Sequence, residues 1–475
     1  MPEAAALLPE RRRQRVHFVG VGGIGMSGLA QILLSAGAQV SGSDKVPSHI
    51  TEALARRGAR VFAGHAAEHA AGAELVVVSD AVKRDRNPEV AWALAHGVPV
   101  LRRSEFVGQL TAGMRTVAVA GTHGKTTTAA MLTHILRSAG LNPTFLLGGE
   151  VPGLGGNAGL GGDLWVVEAC EAYESYLDLR PALAVITNIE TDHLDHHGGP
   201  EHLHESFRRF AGHVQPGGTL VLCAERPELQ AVAASAEERR VVWYALDGEA
   251  DYTARGEWTL AGWQGLMPVY AGGRRLGEVT VPMPGRHNLL NSMAALAAAL
   301  ELGAGFEAAR DALVGFTGIA RRFERVGEAN GITIVDDYAH HPSELRAALA
   351  TAHGLRDEAG SGGRVVAVFQ PHLFSRTQDL LDDFAVAFDD ADVVYVAAIY
   401  PAREEPIPGV TSDLLVERLR ARRPGKPVEL LPDERAIARR LATELRAGDW
   451  AVILGAGSIG AVAWELRGAL AGERA

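Results

Sequence analysis

Lysine is nearly missing from this chain: four of its 475 residues are lysine, against forty-two arginines. Cysteine is scarcer still, and Cys170 with Cys223 cannot build a disulfide framework, which fits a reducing compartment. Aromatic residues make up 6% of the chain, and no apolar run approaches the roughly 18 residues that cross a bilayer. The net charge of −11 argues against a broad nucleic-acid or acidic-membrane surface, so neither partner is expected. Any anionic ligand must be met by local arginines and backbone N–H groups. The first residues turn from mildly apolar to basic between Arg11 and Arg15, the reverse of a secretory signal, so the expected location is the cytoplasm.

One of the rare lysines, Lys125, stands inside Gly121-Thr-His-Gly-Lys-Thr-Thr-Thr128. The apolar stretch before it reads as a buried strand and the stretch after it as an amphipathic helix. Strand, glycine turn, Lys-Thr and helix is the order that wraps a nucleotide phosphate. The turn and the helix N-terminus offer N–H groups, the lysine reaches the terminal phosphates, and a threonine hydroxyl meets Mg²⁺. A flexible ammonium suits that point-charge role better than a guanidinium fork. The candidate ATP-binding residues are therefore Gly121, Thr122, His123, Gly124, Lys125, Thr126 and Thr127. The spacing is shorter than a standard P-loop, whose first glycine would fall on Val119.

Length predicts about three domains, and the pattern of strands and helices predicts an α/β chain. Residues 1–113 alternate apolar strands with helical segments, as in a parallel sheet covered on both faces. A second block, 114–317, opens with the strand before Lys125 and again reads as mostly parallel. Within it, 241–283 reads as an antiparallel insertion and 288–302 as an alanine-rich helix. The third block, 318–475, opens with a basic loop and carries four further strands.

Gly20-Val-Gly-Gly-Ile-Gly fits the glycine fingerprint of a Rossmann turn, and Asp44 ends the next strand at the ribose-binding distance. A nicotinamide dinucleotide is one reading of this loop. Another diphosphate, such as the pyrophosphate of a UDP-sugar, is a second and a structural turn without ligand a third; Ser27 adds a polar group near the helix start.

Taken together, these segments resemble the Mur ligases of peptidoglycan synthesis. The likeness runs in order through GVGGIGMSGLA (20–30), GSD (42–44), GTHGKTTT, EACE (168–171), TNIETDHLD (187–195), GRHNLLNSMAA (285–295), ARRFE (320–324), DDYAHHPSE (336–344), FQPHLFSRT (369–377) and GAGSIG (455–460). The resemblance implies an N-terminal Rossmann-like UDP-binding domain, a central P-loop ATPase domain and a C-terminal Rossmann-like amino-acid domain. It also implies an ATP-dependent ligase that joins L-alanine to the lactyl carboxylate of UDP-N-acetylmuramate through an acyl phosphate. ATP and Mg²⁺ would be its cofactors, with two metal sites and Mn²⁺ as a substitute, and the protein would be a monomer or homodimer.

Roles follow from the resemblance residue by residue. Thr126 and Glu171 would hold one Mg²⁺, and His193 the second. His287, Asn288 and Asn291 would lie against the nucleotide, with an N-cap as the plainer role for Asn288. Arg322 would reach phosphate, and Asp337 would face the ATP ribose. Tyr338, His340 and His341 would line the alanine pocket, while His372 and Arg376 would hold a carboxylate or the acyl phosphate. His193 and His340 are candidates for the base that frees the alanine amine. In the first domain, Gly22, Gly23, Ile24, Ser27, Ser43, Asp44, His65 and Ser79 would contact the UDP-sugar, with Arg102 as an anion clamp.

Two departures stand out. Many relatives carry an arginine where this chain has Leu373, and acidic residues where it has Cys170 and Tyr173. Sister ligases that add later peptide residues use a carbamylated lysine near their second metal. Between 114 and 317 this chain has no lysine except Lys125, which favours the alanine-adding branch over those sisters. The ligase that reattaches an intact tripeptide is the nearer rival.

Overall fold

The computed structural model describes residues 11, 13–80, 82–190, 199–402 and 404–472. Three sheets form, and the chain divides into two compact units. The first unit comprises residues 1–258, 266–281 and 290–317; the second comprises 259–265, 282–289 and 318–475. The first two sequence blocks thus share one unit, and two short pieces of the second block belong to the other.

The first sheet is five-stranded and parallel throughout, with Arg15–Val19 at its centre. Gln39–Asp44 and then Arg60–Ala63 lie on one side, Leu75–Val78 and Val100–Arg102 on the other. That order reverses beside the central strand, and open α/β sheets bind ligands past the strand carboxyl ends at such a switch. Central strands of this kind must be apolar on both faces. Val76, Val77 and Val78 are fully enclosed or nearly so, and Val19, Val76 and Val78 pack on Val90 and Ala93 of a covering helix.

The second sheet is built around the phosphate-loop strand Arg115–Ala120. Its parallel neighbours are Leu164–Glu168 and Leu183–Ile186. Thr219–Cys223 and Arg240–Ala245 continue the parallel run. The expected antiparallel insertion is an extension of this sheet: Tyr252–Thr253 pairs parallel with Arg240–Ala245 and antiparallel with Gln264–Ala271. The opposite edge is also antiparallel, where Thr144–Val151 pairs with Gly156–Gly159. The alanine-rich helix spans Arg286–Glu301, and its alanines from Ala294 to Ala299 are buried.

The third sheet lies in the second unit, with five parallel strands and one antiparallel edge, Glu324–Ala329 against Ile332–Asp337. Apolar clusters cover both of its faces, one around Phe369 and Val452, the other around Val368 and Ile453. Alternate side chains of the same strands supply the two clusters, as the strand period of two requires. Among the described residues no helix is long and apolar enough to cross a membrane.

Candidate functional site

The loop of the first unit is set by two glycines and one polar staple. Gly121 and Gly124 adopt φ of +124° and +81°, which L side chains resist. A Cβ on Gly121 would lie 2.1 Å from Thr187 Oγ1, and one on Gly124 would lie 2.4 Å from Asn291 Oδ1. Both positions therefore need glycine for space as well as conformation. The segment after Leu183–Ile186 grips the loop from below. Thr187 Oγ1 donates to the His123 carbonyl at 2.6 Å, and Asn188 Oδ1 accepts from the His123 N–H at 2.9 Å. The Thr122 N–H donates to the Asn188 carbonyl at 3.0 Å, and the Glu190 N–H to Thr122 Oγ1 at 2.9 Å. His123 Nε2 lies 3.4 Å from Glu190.

The helix Lys125–Ser138 starts from this loop, and its first residues carry the chemistry. Lys125 Nζ donates to the carbonyls of Gly121 and Thr122 at 2.6 and 2.9 Å and pairs with Glu171 at 2.9 Å. Thr126 Oγ1 donates to Glu168 Oε2 at 2.8 Å, and the Gly148 N–H donates to the same oxygen at 2.8 Å. The two carboxylates thus divide the work. Sequence reasoning set Thr126 with Glu171 and left Glu168 without a role; the structure hydrogen-bonds Thr126 to Glu168 and pairs Glu171 with the lysine. Glu168 ends the strand that neighbours the loop, so it meets the start of the helix, while Glu171, three residues on, reaches the ammonium.

Burial works against the Lys125 charge, yet Glu171, with Cys170 and Glu168 behind it, outweighs this and raises its pKa above the usual lysine value. Burial, helped by Glu171, pushes the Cys170 thiol up to about 11, so it is a neutral neighbour. After Glu171 the backbone turns sharply: Tyr173 and Glu174 both have positive φ, 55° and 52°. Arg209 pairs with Glu174 at 3.0 Å and holds that turn. Oxygen donors from Thr126, Glu168 and Glu171 beside a glycine cradle match the ligand chemistry of a hard divalent cation. His193 lies outside the described residues.

At the first sheet's carboxyl edge, the Gly22 N–H donates to Asp44 Oδ2 at 2.8 Å, tying the glycine loop to the end of the next strand. The helix Ile24–Ser35 begins just past Gly23, whose backbone is extended. Ser27 is buried and donates to the Ile24 carbonyl at 3.0 Å, because its position in the first turn points it back along the helix. Ser79 flanks Gly20, whose hypothetical Cβ would sit 3.1 Å from the Ser79 Cβ. Ser43 and His65 both meet Glu89, a fully buried carboxylate that sequence reasoning missed. Arg102 is exposed and its N–H donates to Glu105. Arg103 is the arginine packed against Gly25, and it pairs with Asp80 at 3.4 Å.

In the second unit, Asp337 is almost enclosed and its two oxygens accept the Phe323 and Ala339 N–H groups at 2.6 and 2.7 Å. Burial pushes Asp337 up to about 6, against the pull of Arg322 and those two bonds. Arg322 stands between Arg321 and Phe323, whose φ values are 59° and 47°. Both Arg321 and Arg322 lie over the Tyr338 ring at 5.1 Å. His340 Nδ1 donates to the Tyr338 carbonyl at 2.9 Å, which makes its Nε2 the acceptor in the neutral ring. His340 and His372 meet edge-on at 5.6 Å, and His372 stacks on Tyr400 at 5.6 Å. Arg376 is buried with Nη1 3.3 Å from His372 Nδ1. Leu373 is buried with φ of 70°. His341 caps the helix Pro342–Ala359 by accepting from the Ser343 N–H.

His287 and Asn288 also belong to this unit, whereas Asn291 belongs to the first. Asn288 is no cap: its Nδ2 donates to the Pro284 carbonyl at 2.7 Å, since the helix has already begun at Arg286. Burial pushes His287 down to about 4, with Glu344 opposing and Arg322 assisting.

Comparison with known proteins agrees with this arrangement over nearly the whole chain. Three Mur ligase models match in order: the catalytic domain over residues 15–115, the middle domain over 119–299, and the glutamate ligase domain over 321–457. A UDP-N-acetylmuramate–L-alanine ligase of Novosphingobium aromaticivorans is 45% identical over 469 residues, 97% of this chain and 98% of the relative. Its namesake from a Geobacter species is 44% identical over 94% of this chain and 95% of its own length. Among solved structures, the UDP-N-acetylmuramate-alanine ligase of Thermotoga maritima superposes with a TM-score of 0.82 at 27% identity, covering 97% of this chain and all of that one. The murein peptide ligase of Psychrobacter arcticus gives 0.70 at 25% identity over 97% of this chain and all of that one. The chain belongs to the Mur ligase family.

Proposed function

We propose that this protein is the ATP-dependent ligase that joins L-alanine to UDP-N-acetylmuramate in peptidoglycan synthesis. The observation that carries the reading is the pairing of Lys125 with Glu171 and Thr126 with Glu168 on one helix start. Two negative reactants, a carboxylate and a triphosphate, must meet for this chemistry. Catalysis then consists mainly of positioning and charge compensation.

In this reading the glycine cradle and the N–H groups at the start of Lys125–Ser138 take the ATP phosphates, with Thr122, His123 and Thr127 shaping the loop. Lys125 turns from Glu171 to the terminal phosphates. The lactyl carboxylate attacks the γ-phosphorus, the bond to ADP breaks, and an acyl phosphate forms. The amine of L-alanine then attacks the acyl carbon, and inorganic phosphate leaves with one former carboxylate oxygen. Thr126, Glu168 and Glu171 would hold Mg²⁺, which supplies charge compensation at the phosphates. A second metal at His193 and substitution by Mn²⁺ rest on the resemblance alone.

The second unit would supply the amino-acid side. Arg376, oriented by His372, is the group for the alanine carboxylate, since Leu373 offers none. Tyr338 and His340 would close a pocket sized for a methyl group, with Arg322 reaching phosphate and Asp337 facing the ATP ribose. At the first sheet, Gly22, Gly23, Ile24, Ser43, Asp44, His65 and Ser79 form the proposed UDP-sugar edge, and Arg103, packed against Gly25, joins Arg102 as a candidate anion clamp.

Phosphate release tests this function. It is expected with ATP, Mg²⁺, UDP-N-acetylmuramate and L-alanine together, and to fall away when any one is left out. Preference for glycine, D-glutamate or an intact tripeptide over L-alanine would overturn the assignment to the alanine-adding branch.

A further inference from the structure

Beneath the carboxyl edge of the first sheet, Ser43 and His65 of the proposed UDP-sugar edge rest on a buried polar cluster. Glu89, on the helix Pro88–Ala95, is completely buried. Its Oε2 accepts from Ser43 Oγ at 2.8 Å and from His65 Nδ1 at 3.0 Å. His17 Nε2 and His69 Nδ1 approach the other oxygen at 3.4 and 3.3 Å without hydrogen-bond alignment. His17 Nδ1 lies 2.9 Å from Ser41 Oγ, and His69 stacks on Phe62 at 4.3 Å. Burial raises the Glu89 pKa, but His17, Ser43 and His65 outweigh it and hold the carboxyl below its ordinary value.

An ionised carboxylate demands a donor from each group that faces it. The His65 Nδ1 must therefore carry the proton, and in the neutral ring Nε2 is a bare acceptor. The ring is 17% exposed, and Nε2 has no partner among the described residues. In the UDP-sugar reading, its place along the sheet edge says what it would face. A diphosphate at the start of Ile24–Ser35 puts a ribose near Asp44, at the end of the next strand. The base would then lie further along the same edge, past Arg60–Ala63, where His65 stands.

We propose that Glu89 is a positioning residue: by taking the Nδ1 proton of His65 it aims the Nε2 lone pair at the N3–H of a uracil ring. This makes the first domain select uridine over cytidine nucleotides, because cytosine presents a lone pair at N3. The inference rests on the UDP-sugar reading of this edge and deepens it.

The test uses the full chain, titrated calorimetrically with UDP and with CDP, together with ¹⁵N-histidine spectra in which His65 is assigned by its loss in His65→Gln. The expected results are a UDP preference of about tenfold or more and an Nδ1–H tautomer for His65 at neutral pH. Glu89→Gln, whose amide can donate to Nδ1 and so release the other tautomer, is expected to shrink the preference to under about threefold. The wild-type measurements stand whether or not that variant folds. An Nε2–H tautomer, or equal affinity for UDP and CDP, overturns the inference and leaves the UDP-sugar reading intact. Binding of neither nucleotide overturns the reading, and the inference falls with it.

Discussion

Lys125 and Glu171 form a buried ion pair, Nζ to Oε2 at 2.9 Å, with side chains 12% and 2% exposed. The residue proposed to meet ATP is thus held by a carboxylate proposed to meet Mg²⁺. Each charge compensates the other's burial.

Removing one partner strands the other. Lys125→Met is expected to abolish phosphate release and to cost roughly 3 kcal/mol of stability. The double variant with Glu171→Gln is expected to regain much of that stability without regaining activity. Thermal denaturation of the single and double variants checks this, and equal melting temperatures in both would refute the coupling.

Thr126→Val removes the hydroxyl that donates to Glu168 at 2.8 Å. A Mg²⁺ titration of phosphate release is expected to need about tenfold more Mg²⁺ for half-maximal rate, from the loss of one oxygen ligand. An unchanged Mg²⁺ dependence would remove Thr126 from the metal site.

Much of this site was legible in the sequence, and the limits have physical causes. The order strand, glycine turn, Lys125 and helix is a local pattern, and the structure reproduces it. The partition of Glu168 and Glu171 is not local: both flank one strand end, and only the path of the backbone decides which meets Thr126. The staple of Thr187 and Asn188 to His123 joins segments about 65 residues apart, a distance that composition cannot bridge. Glu89 belongs to no motif in the sequence, and only three-dimensional packing brings it to Ser43 and His65. The antiparallel edge of Thr144–Val151 with Gly156–Gly159 was not anticipated, because short glycine-bearing strands carry little hydrophobic alternation.

Gly124→Ala places a methyl 2.4 Å from Asn291 Oδ1 at a φ of +81°. The left-handed backbone alone costs roughly 1–2 kcal/mol. A second substitution, Asn291→Ala, is expected to relieve the contact but not the backbone strain, so rescue is partial. Full rescue of the melting temperature would show that space, not conformation, makes Gly124 necessary.

His287 titrates near 4 in the folded protein, below its ordinary 6.5. The unfolded chain therefore binds the proton more readily between these values. The resulting stability is complete above about 6.5 and is lost as pH falls toward 4. Asp336 and Asp337, both pushed up to about 6, act in the opposite direction across much of the same range. Compared with wild type, His287→Gln is expected to lose less melting temperature on acidification from pH 6.5 to 4.5; an identical slope would contradict the shift.

Arg376 is buried beside His372, at 3.3 Å. Arg376→Lys is expected to raise the KM for L-alanine about tenfold or more while leaving that for ATP near wild type, because a lysine cannot match the planar fork. A change confined to ATP would move Arg376 to the nucleotide side.

The central claim is that the lactyl carboxylate takes the γ-phosphate before the amine attacks. It is tested most directly with UDP-N-acetylmuramate carrying ¹⁸O in both oxygens of that carboxylate, by mass analysis of the phosphate released during turnover with ATP and L-alanine. One ¹⁸O atom in each released phosphate is the predicted result; phosphate without the label would contradict the account.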